Sequence, residues 1–356
     1  MRVALFIEED PAISSGTATT IEALLGHLPG DLDVIPYRLK ANPLAGLCTG
    51  QLLDRARRDR IDVIHLTGCG PVAIVALLVA WRLNVPVVGS FPTDFASRPL
   101  RMCYLRALSH MCERVFVPAL AARVCLAAET GLDPAKILAW RPAVDADTFT
   151  PAKRSAAIRE RWQVSESRPA VIYAGAVSDE KGASRLLSLE LALHRSHPMY
   201  RLIVVGEGPR RAEIEKRCID ALFVGEVPHG DMPVLLASAD LFVCPSECCS
   251  TNHAVLEAQA CGLPAVVMER GSARERVSEW SGVICRSTVD MIVETASLIR
   301  TEPRRTAMAR AAREHARRQR WTSGLSSLYG GYRMAVALSS ARRDLGPALV
   351  SQSRRL

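Results

Sequence analysis

The sequence predicts an α/β protein built from two doubly wound domains. Three observations carry that expectation. The chain has 356 residues, more than one compact core comfortably serves. Short apolar runs alternate with helical patterns along nearly all of it, the order that a parallel sheet with crossover helices requires. Those runs are apolar throughout rather than at every second residue, as strands are when both faces of their sheet are covered.

The elements follow in order. Residues 2–7 read as a strand, 17–28 as a helix, 33–36 as a strand, 51–60 as a helix and 62–66 as a strand. Residues 71–83 form an apolar helical run and 86–90 a strand, with strands at 114–117 and 136–140 around a helix at 120–130. The stretch 63–81 contains no Asp, Glu, Lys or Arg, but His65, Thr67, Gly68, Gly70 and Pro71 interrupt it. Its continuous apolar part is about half of the ~20 residues that a membrane-spanning helix needs. A strand, a loop and a buried helix are expected there.

Residues 141–151, RPAVDADTFTP, break the rhythm and read as an interdomain linker. The alternation then restarts, with strands at 170–174, 200–205, 221–224, 241–244 and 264–268 and helices at 182–197, 210–219, 232–237 and 252–261. Beyond 289–299 come an arginine-rich helix at 304–320 and another from Trp321, with no strand between them. Such a pair could pack back across the linker. The expected division is 1–150, 151–320, a crossing helix at 321–340 and a basic tail at 341–356.

The net charge is +8, mostly from arginine, much of it in 304–320 and 342–355. An anionic membrane surface, or no specific partner, is the expected reading of such charge, since an arginine run alone is commonly a solvated face. Nucleic acid is not, because no aromatic platform alternates with the basic residues. The eleven cysteines include no Cys-x-x-Cys pair, which argues against a zinc or redox site. Cys69, Cys125, Cys244 and Cys261 lie in apolar stretches, where a thiol behaves as a small hydrophobe. Reduced thiols suit a cytoplasmic protein. The opening residues read as a strand running into acids rather than as a signal peptide.

Several loops after strands carry chemistry. Ser15-Gly16-Thr17 follows the first strand, where a glycine lets backbone approach a phosphate at a helix start. Thr93-Asp94-Phe95 lies after the strand at 86–90. Tyr173 to Gly182 reads YAGAVSDEKG and supplies Lys181. Val205-Gly206-Glu207-Gly208-Pro209 joins a strand to a helix. Pro245 to Pro264 reads PSECCSTNHAVLEAQACGLP, with Thr251 or Asn252 placed to cap the helix that carries Glu257.

Together these motifs resemble those of the family 4 glycosyltransferases. Leu256-Glu257-Ala258-Gln259-Ala260-Cys261-Gly262-Leu263-Pro264 fits the family's L-E-A-x-A-x-G-x-P, Glu180-Lys181-Gly182 its E-K-G, and Gly206 to Pro209 its G-x-G-P. Three positions depart from it. Pro92 stands where the family has a histidine, Ala176 where it has an arginine, and Cys249 where it has its first glutamate.

The resemblance implies a GT-B fold, two Rossmann-like domains facing a cleft, with a C-terminal helix crossing back to the first. It implies a retaining transferase that moves a sugar from a nucleotide-diphosphate sugar to a lipid or glycan acceptor, peripheral to the inner face of the cell membrane, without a metal or other cofactor. The family's leaving phosphate helps deprotonate the acceptor. Lys181 and Asp94 are then the expected catalytic residues. Gly16, Gly206, Glu207, Gly208, Thr251, Asn252 and Glu257 would bind the donor. With one of the family's two diphosphate cations missing at Ala176, Arg185 or Arg210 would have to supply the other. Glu247 is the acid nearest the position that Cys249 occupies. The alternative is a catalytically inactive homologue that keeps the fold and serves as a binding or regulatory subunit.

Overall fold

The computed structural model describes residues 1–9, 21, 24–40, 49–91, 99–141, 143–197, 199–249 and 252–344. The expected helix at 17–28 and the basic tail lie largely outside them. The chain divides into two compact units, Met1–Trp140 with Leu325–Leu356, and Arg141–Gly324.

The first unit holds a six-stranded sheet in the order β2-β1-β3-β4-β5-β6, every neighbouring pair parallel. Its strands are β1 (Arg2–Glu9), β2 (Asp33–Lys40), β3 (Val63–Leu66), β4 (Val87–Ser90), β5 (Arg114–Val117) and β6 (Ile137–Ala139). The helices between them are α1 (Thr49–Arg58), α2 (Pro71–Leu83), α3 (Pro99–Met111) and α4 (Leu120–Thr130). Val3, Ala4, Leu5, Val63, Ile64, Val88 and Val115 are fully shielded from solvent, as the uninterrupted apolar strands require. Every step from β2 to β6 runs the same way along the sheet. Right-handed crossovers therefore put α1 to α4 on one face.

The last helix, α13 (Ser326–Asp344), packs against β3, β4, β5 and β6 of this same sheet. Leu328, Tyr329, Tyr332 and Ala335 are its buried face. Tyr329 Oη donates to the His27 carbonyl at 2.9 Å, and Arg333 pairs with Asp31 at 2.6 Å.

The second unit repeats the plan. Its strands are β7 (Ala170–Ala174), β8 (Arg201–Val205), β9 (Ala221–Gly225), β10 (Leu241–Cys244), β11 (Ala265–Met268) and β12 (Gly282–Cys285). They lie in the order β12-β11-β10-β7-β8-β9, again all parallel. The helices are α5 (Ala156–Arg161), α6 (Ala183–Ser196), α7 (Arg211–Arg217), α8 (Met232–Ser238), α9 (His253–Ala260), α10 (Thr288–Arg300), α11 (Glu302–Arg318) and α12 (Trp321–Gly324).

The structure differs from the expectations at two joins. Residues 141–151 are packed into the second unit: Val144 and Phe149 sit in its core, and Asp145 accepts from the Asp147 and Thr148 amides. The division accordingly falls after Trp140 rather than after residue 150. Trp321 also stays with the second unit, its ring 5.9 Å from that of His253. The chain returns to the first unit only from Leu325. The run 71–83 forms a helix as expected, but it is not buried all round. Ile74, Leu78 and Trp81 face solvent.

Candidate active site

In the second sheet the chain lays β8 and β9 to one side of β7 and then returns to the other side with β10. The reversal makes the β7/β10 boundary a topological switch point, where diverging loops at the carboxyl ends of the strands leave a crevice. The loop after β7 carries Lys181, and the loop after β10 carries Ser246 to Cys249.

Gly182 ties the two loops together. Its φ is +81°, and a Cβ there would lie 2.4 Å from the Pro245 carbonyl oxygen, so a side chain would be strained twice over. That approach brings Lys181 Nζ within 3.2 Å of Cys248 Sγ, which also receives the Ser246 hydroxyl at 2.9 Å. Gly206 does the same between β7 and β8. Its φ is +134°, and a Cβ would lie 2.1 Å from the Gly175 carbonyl oxygen. Gly208 continues the turn, its carbonyl accepting from the Arg211 amide at 3.1 Å. Glu207 accepts the Val177 amide on its carbonyl at 2.8 Å, and its carboxylate pairs with Arg211.

The cations and acids around Lys181 are committed to one another. Arg185 pairs with Glu247 at 2.5 Å. Arg210 pairs with Asp179, and with Glu213 at 2.8 Å. The two arginines expected to replace the missing one at Ala176 are thus held by carboxylates, and Glu247 is held by one of those arginines. Cys249 stands at the family's first-glutamate position, and the sulfur that meets Lys181 belongs to its neighbour Cys248. The Pro-Ser pair ahead of it was the available signal, since Ser246 orders that turn by accepting the Cys248 amide at 3.2 Å.

Helix α9 begins at Asn252, whose φ of +49° and ψ of 44° are left-handed. Asn252 occupies the cap position, but its side chain makes no capping bond. It donates instead to Ser272 Oγ at 2.8 Å. Glu257, further along α9, is 7% exposed. Its carboxylate meets His229 Nε2 at 3.7 Å, beyond hydrogen-bond range. Burial pushes its pKa up to about 7, because desolvation penalises the charged form. Gly16, Pro92, Asp94 and Thr251 lie outside the described residues. In the first unit His65 is a core residue. Its Nδ1 lies 2.7 Å from Tyr332 Oη and its Nε2 2.8 Å from Ser90 Oγ, and burial holds its pKa down to about 3.

Comparison with known proteins matches this geometry. Residues 155–315, which include the Lys181 loop and the α9 helix with Glu257, match the family described as Glycosyl transferases group 1. Residues 13–148 match Glycosyltransferase Family 4. The chain belongs to the family 4 glycosyltransferases. A GDP-mannose-dependent alpha-mannosyltransferase of Corynebacterium glutamicum is 27% identical over 78% of this chain and 68% of its own length. A sulfoquinovosyl transferase of Arabidopsis thaliana is 27% identical over 82% of this chain and 60% of its own length. Among solved structures, Anabaena HepE in complex with UDP and glucose superposes with a TM-score of 0.72 at 17% identity, over 96% of this chain and all (100%) of that one. WaaG, a glycosyltransferase involved in lipopolysaccharide biosynthesis, superposes at 0.66 and 16% identity, over 94% of this chain and 98% of its own. The fold of this glycosyltransferase is GT-B.

Proposed function

We propose that this glycosyltransferase moves a hexose from a nucleoside-diphosphate sugar to a lipid or glycan acceptor, with retention of configuration and without a metal. The observation that carries the proposal is the β7/β10 switch point, where a lysine and a buried carboxylate lacking a hydrogen-bond partner among the described residues stand on adjoining elements. The fourteen-residue helix α6 begins just after Lys181, so its amide end and the ammonium favour the same anion.

In the proposed reaction the bond from the anomeric carbon to the diphosphate breaks. A new bond to the acceptor oxygen forms on the same face, and the acceptor proton passes to the departing phosphate. Negative charge grows on the diphosphate as it leaves, and the fixed Lys181 cation lowers that barrier. Glu257 accepts two vicinal ribose hydroxyls, which restores the hydrogen bonds its burial removed. Gly206 and Gly208 form the wall that lets the nucleotide lie close to backbone. Asp94 would act at the acceptor side. The curated relatives named for GDP-mannose make GDP-mannose the first donor to try, and the UDP-bound structures make UDP-glucose the second. Free thiols at all the described cysteines support a reducing, cytoplasmic setting.

Calorimetric titration with GDP, UDP and ADP, with and without EDTA, tests this. One nucleotide should bind, indifferent to EDTA, and Lys181→Ala and Glu257→Ala should each weaken it at least about tenfold. Lys181→Ala should also lower turnover by about 10²–10³. Absence of binding by all three would move the chain to the inactive-homologue alternative. NMR of the product's anomeric proton decides retention.

A further inference from the structure

Helix α2 is apolar on every side except Arg82, a pattern that belongs to a helix covered all round. The structure covers half of it. Val72, Val75, Ala76 and Val79 pack inward, and the helix contacts β1 and β3. Ile74, Leu78 and Trp81 are 50%, 45% and 71% exposed, and their spacing of four and three places them on one stripe. Tyr104 of α3 donates to the Gly70 carbonyl at the start of α2 at 3.1 Å, and α1 packs along its side. The outer surface of this layer continues the apolar character with Met111 at the end of α3 and Leu120 and Val124 on α4, all exposed.

The same surface is basic. The described side chains of α1 to α4 include six arginines, Arg55, Arg57, Arg58, Arg82, Arg106 and Arg123, against two acids, Glu129 and Asp54, of which Asp54 pairs with Arg57 at 3.5 Å on the exposed side of α1. Arg55 lies over the Tyr37 ring at 4.2 Å, on the β2 side of α1. Arg57 is two residues on, roughly 200° round the helix, and so lies on the flank toward α2. Arg82 lies 5.2 Å from the centre of the Trp81 ring. Of the arginines of α11, three are held within the second unit, while Arg310, Arg317 and Arg318 are exposed on a helix without an apolar stripe beside them. Arg304 pairs with Glu294, Arg305 donates to the Leu298 and Ile299 carbonyls, and Arg313 donates to those of Phe149 and Ala260.

We infer that the outer surface of α1 to α4 docks on an anionic lipid bilayer, with Ile74, Leu78 and Trp81 entering the headgroup–acyl boundary and the arginines meeting lipid phosphates. An apolar stripe, a tryptophan at its end and arginines at its rim are the three parts of an interfacial anchor. The charge chooses this occupant over a second copy of the chain, because a copy would set arginines against arginines. The inference does not depend on sugar transfer.

Flotation of the whole chain with phosphatidylglycerol–phosphatidylcholine vesicles tests it, with pure phosphatidylcholine vesicles alongside. The wild type should float with the anionic vesicles, and less so at high salt. The triple variant Ile74→Ser, Leu78→Ser, Trp81→Ser should lose on the order of 100-fold in partitioning while keeping nucleotide affinity. Arg57→Glu with Arg82→Glu should lose about tenfold on anionic vesicles alone. Trp280→Ser, which removes an exposed tryptophan of the second unit, should change nothing. Equal flotation of the triple variant, or no flotation of the wild type, overturns the inference. So does wild-type self-association that the triple variant abolishes, since the stripe would then be covered by a second copy. Nucleotide affinity is read separately, so loss of the donor site and loss of the docking surface give different results.

Discussion

His65 and Glu257 are both buried ionisable groups, one in each compact unit, and burial shifts both away from charge. Their neighbours differ. His65 has a hydroxyl on each ring nitrogen, from Tyr332 and Ser90. Glu257 has an imidazole nitrogen at 3.7 Å and no hydrogen bond among the described residues. A buried polar group costs little once its hydrogen bonds are made and much while they are not. The histidine therefore holds the structure together, whereas the carboxylate is set up for a partner that brings donors. Burial alone does not separate the two groups; their hydrogen bonds do, together with the place of Glu257 beside the switch point.

The largest effect should come from breaking the satisfied member. His65→Ala removes a ring and strands the Tyr332 and Ser90 hydroxyls, which should cost about 3–4 kcal/mol of stability. The loss should appear in calorimetric unfolding of the first unit, with nucleotide affinity unmoved. A drop in affinity with little loss of stability would reverse the assignment.

Glu257→Gln should act the other way. The folded pKa of about 7 exceeds the ordinary 4.5, so the native state binds the proton more tightly than the unfolded chain. Stability is then full below the ordinary value and falls as pH rises through about 7, by roughly 3 kcal/mol in all. The amide variant should be more stable than wild type at pH 8 and should lack this pH dependence. Nucleotide affinity in the wild type should fall as pH drops below about 7, because the protonated carboxyl accepts fewer ribose hydrogen bonds. A wild-type affinity flat from pH 5.5 to 8.5 would remove Glu257 from the nucleotide.

Much of this was legible in the sequence, for physical reasons. Uninterrupted apolar strands and glycines at strand ends give the architecture, and the motifs around Lys181 and Glu257 give the family and, with it, the candidate site. The edge strand β12, Gly-Val-Ile-Cys, escaped notice because it is short and only half covered. Helix α3 escaped because its composition mixes polar and apolar residues without a clear stripe. The packing of 141–151 was hidden because Val144 and Phe149 are anchors without a period. The partners of the charges could not be read at all. Arg185 and Glu247 are 62 residues apart, and only the close approach at Gly182 brings their loops together.

The smallest predicted effect sharpens the comparison for cations. Arg185 and Arg210 resemble His65 in being satisfied by protein partners, and Ala176 leaves the neighbouring position without charge. Ala176 is exposed, and its carbonyl is already fixed by the Tyr173 hydroxyl at 2.7 Å, so a longer side chain can be placed there without disturbing the loop. Ala176→Arg should therefore raise turnover by a few-fold to about tenfold, and partly restore turnover in a Lys181→Ala background. Steady-state rates for the single and double variants check this. A lower turnover at unchanged nucleotide affinity would mean that the donor of this transferase places no developing charge at that position. Ala176 would then be an adaptation to that donor rather than a missing half of the cation pair.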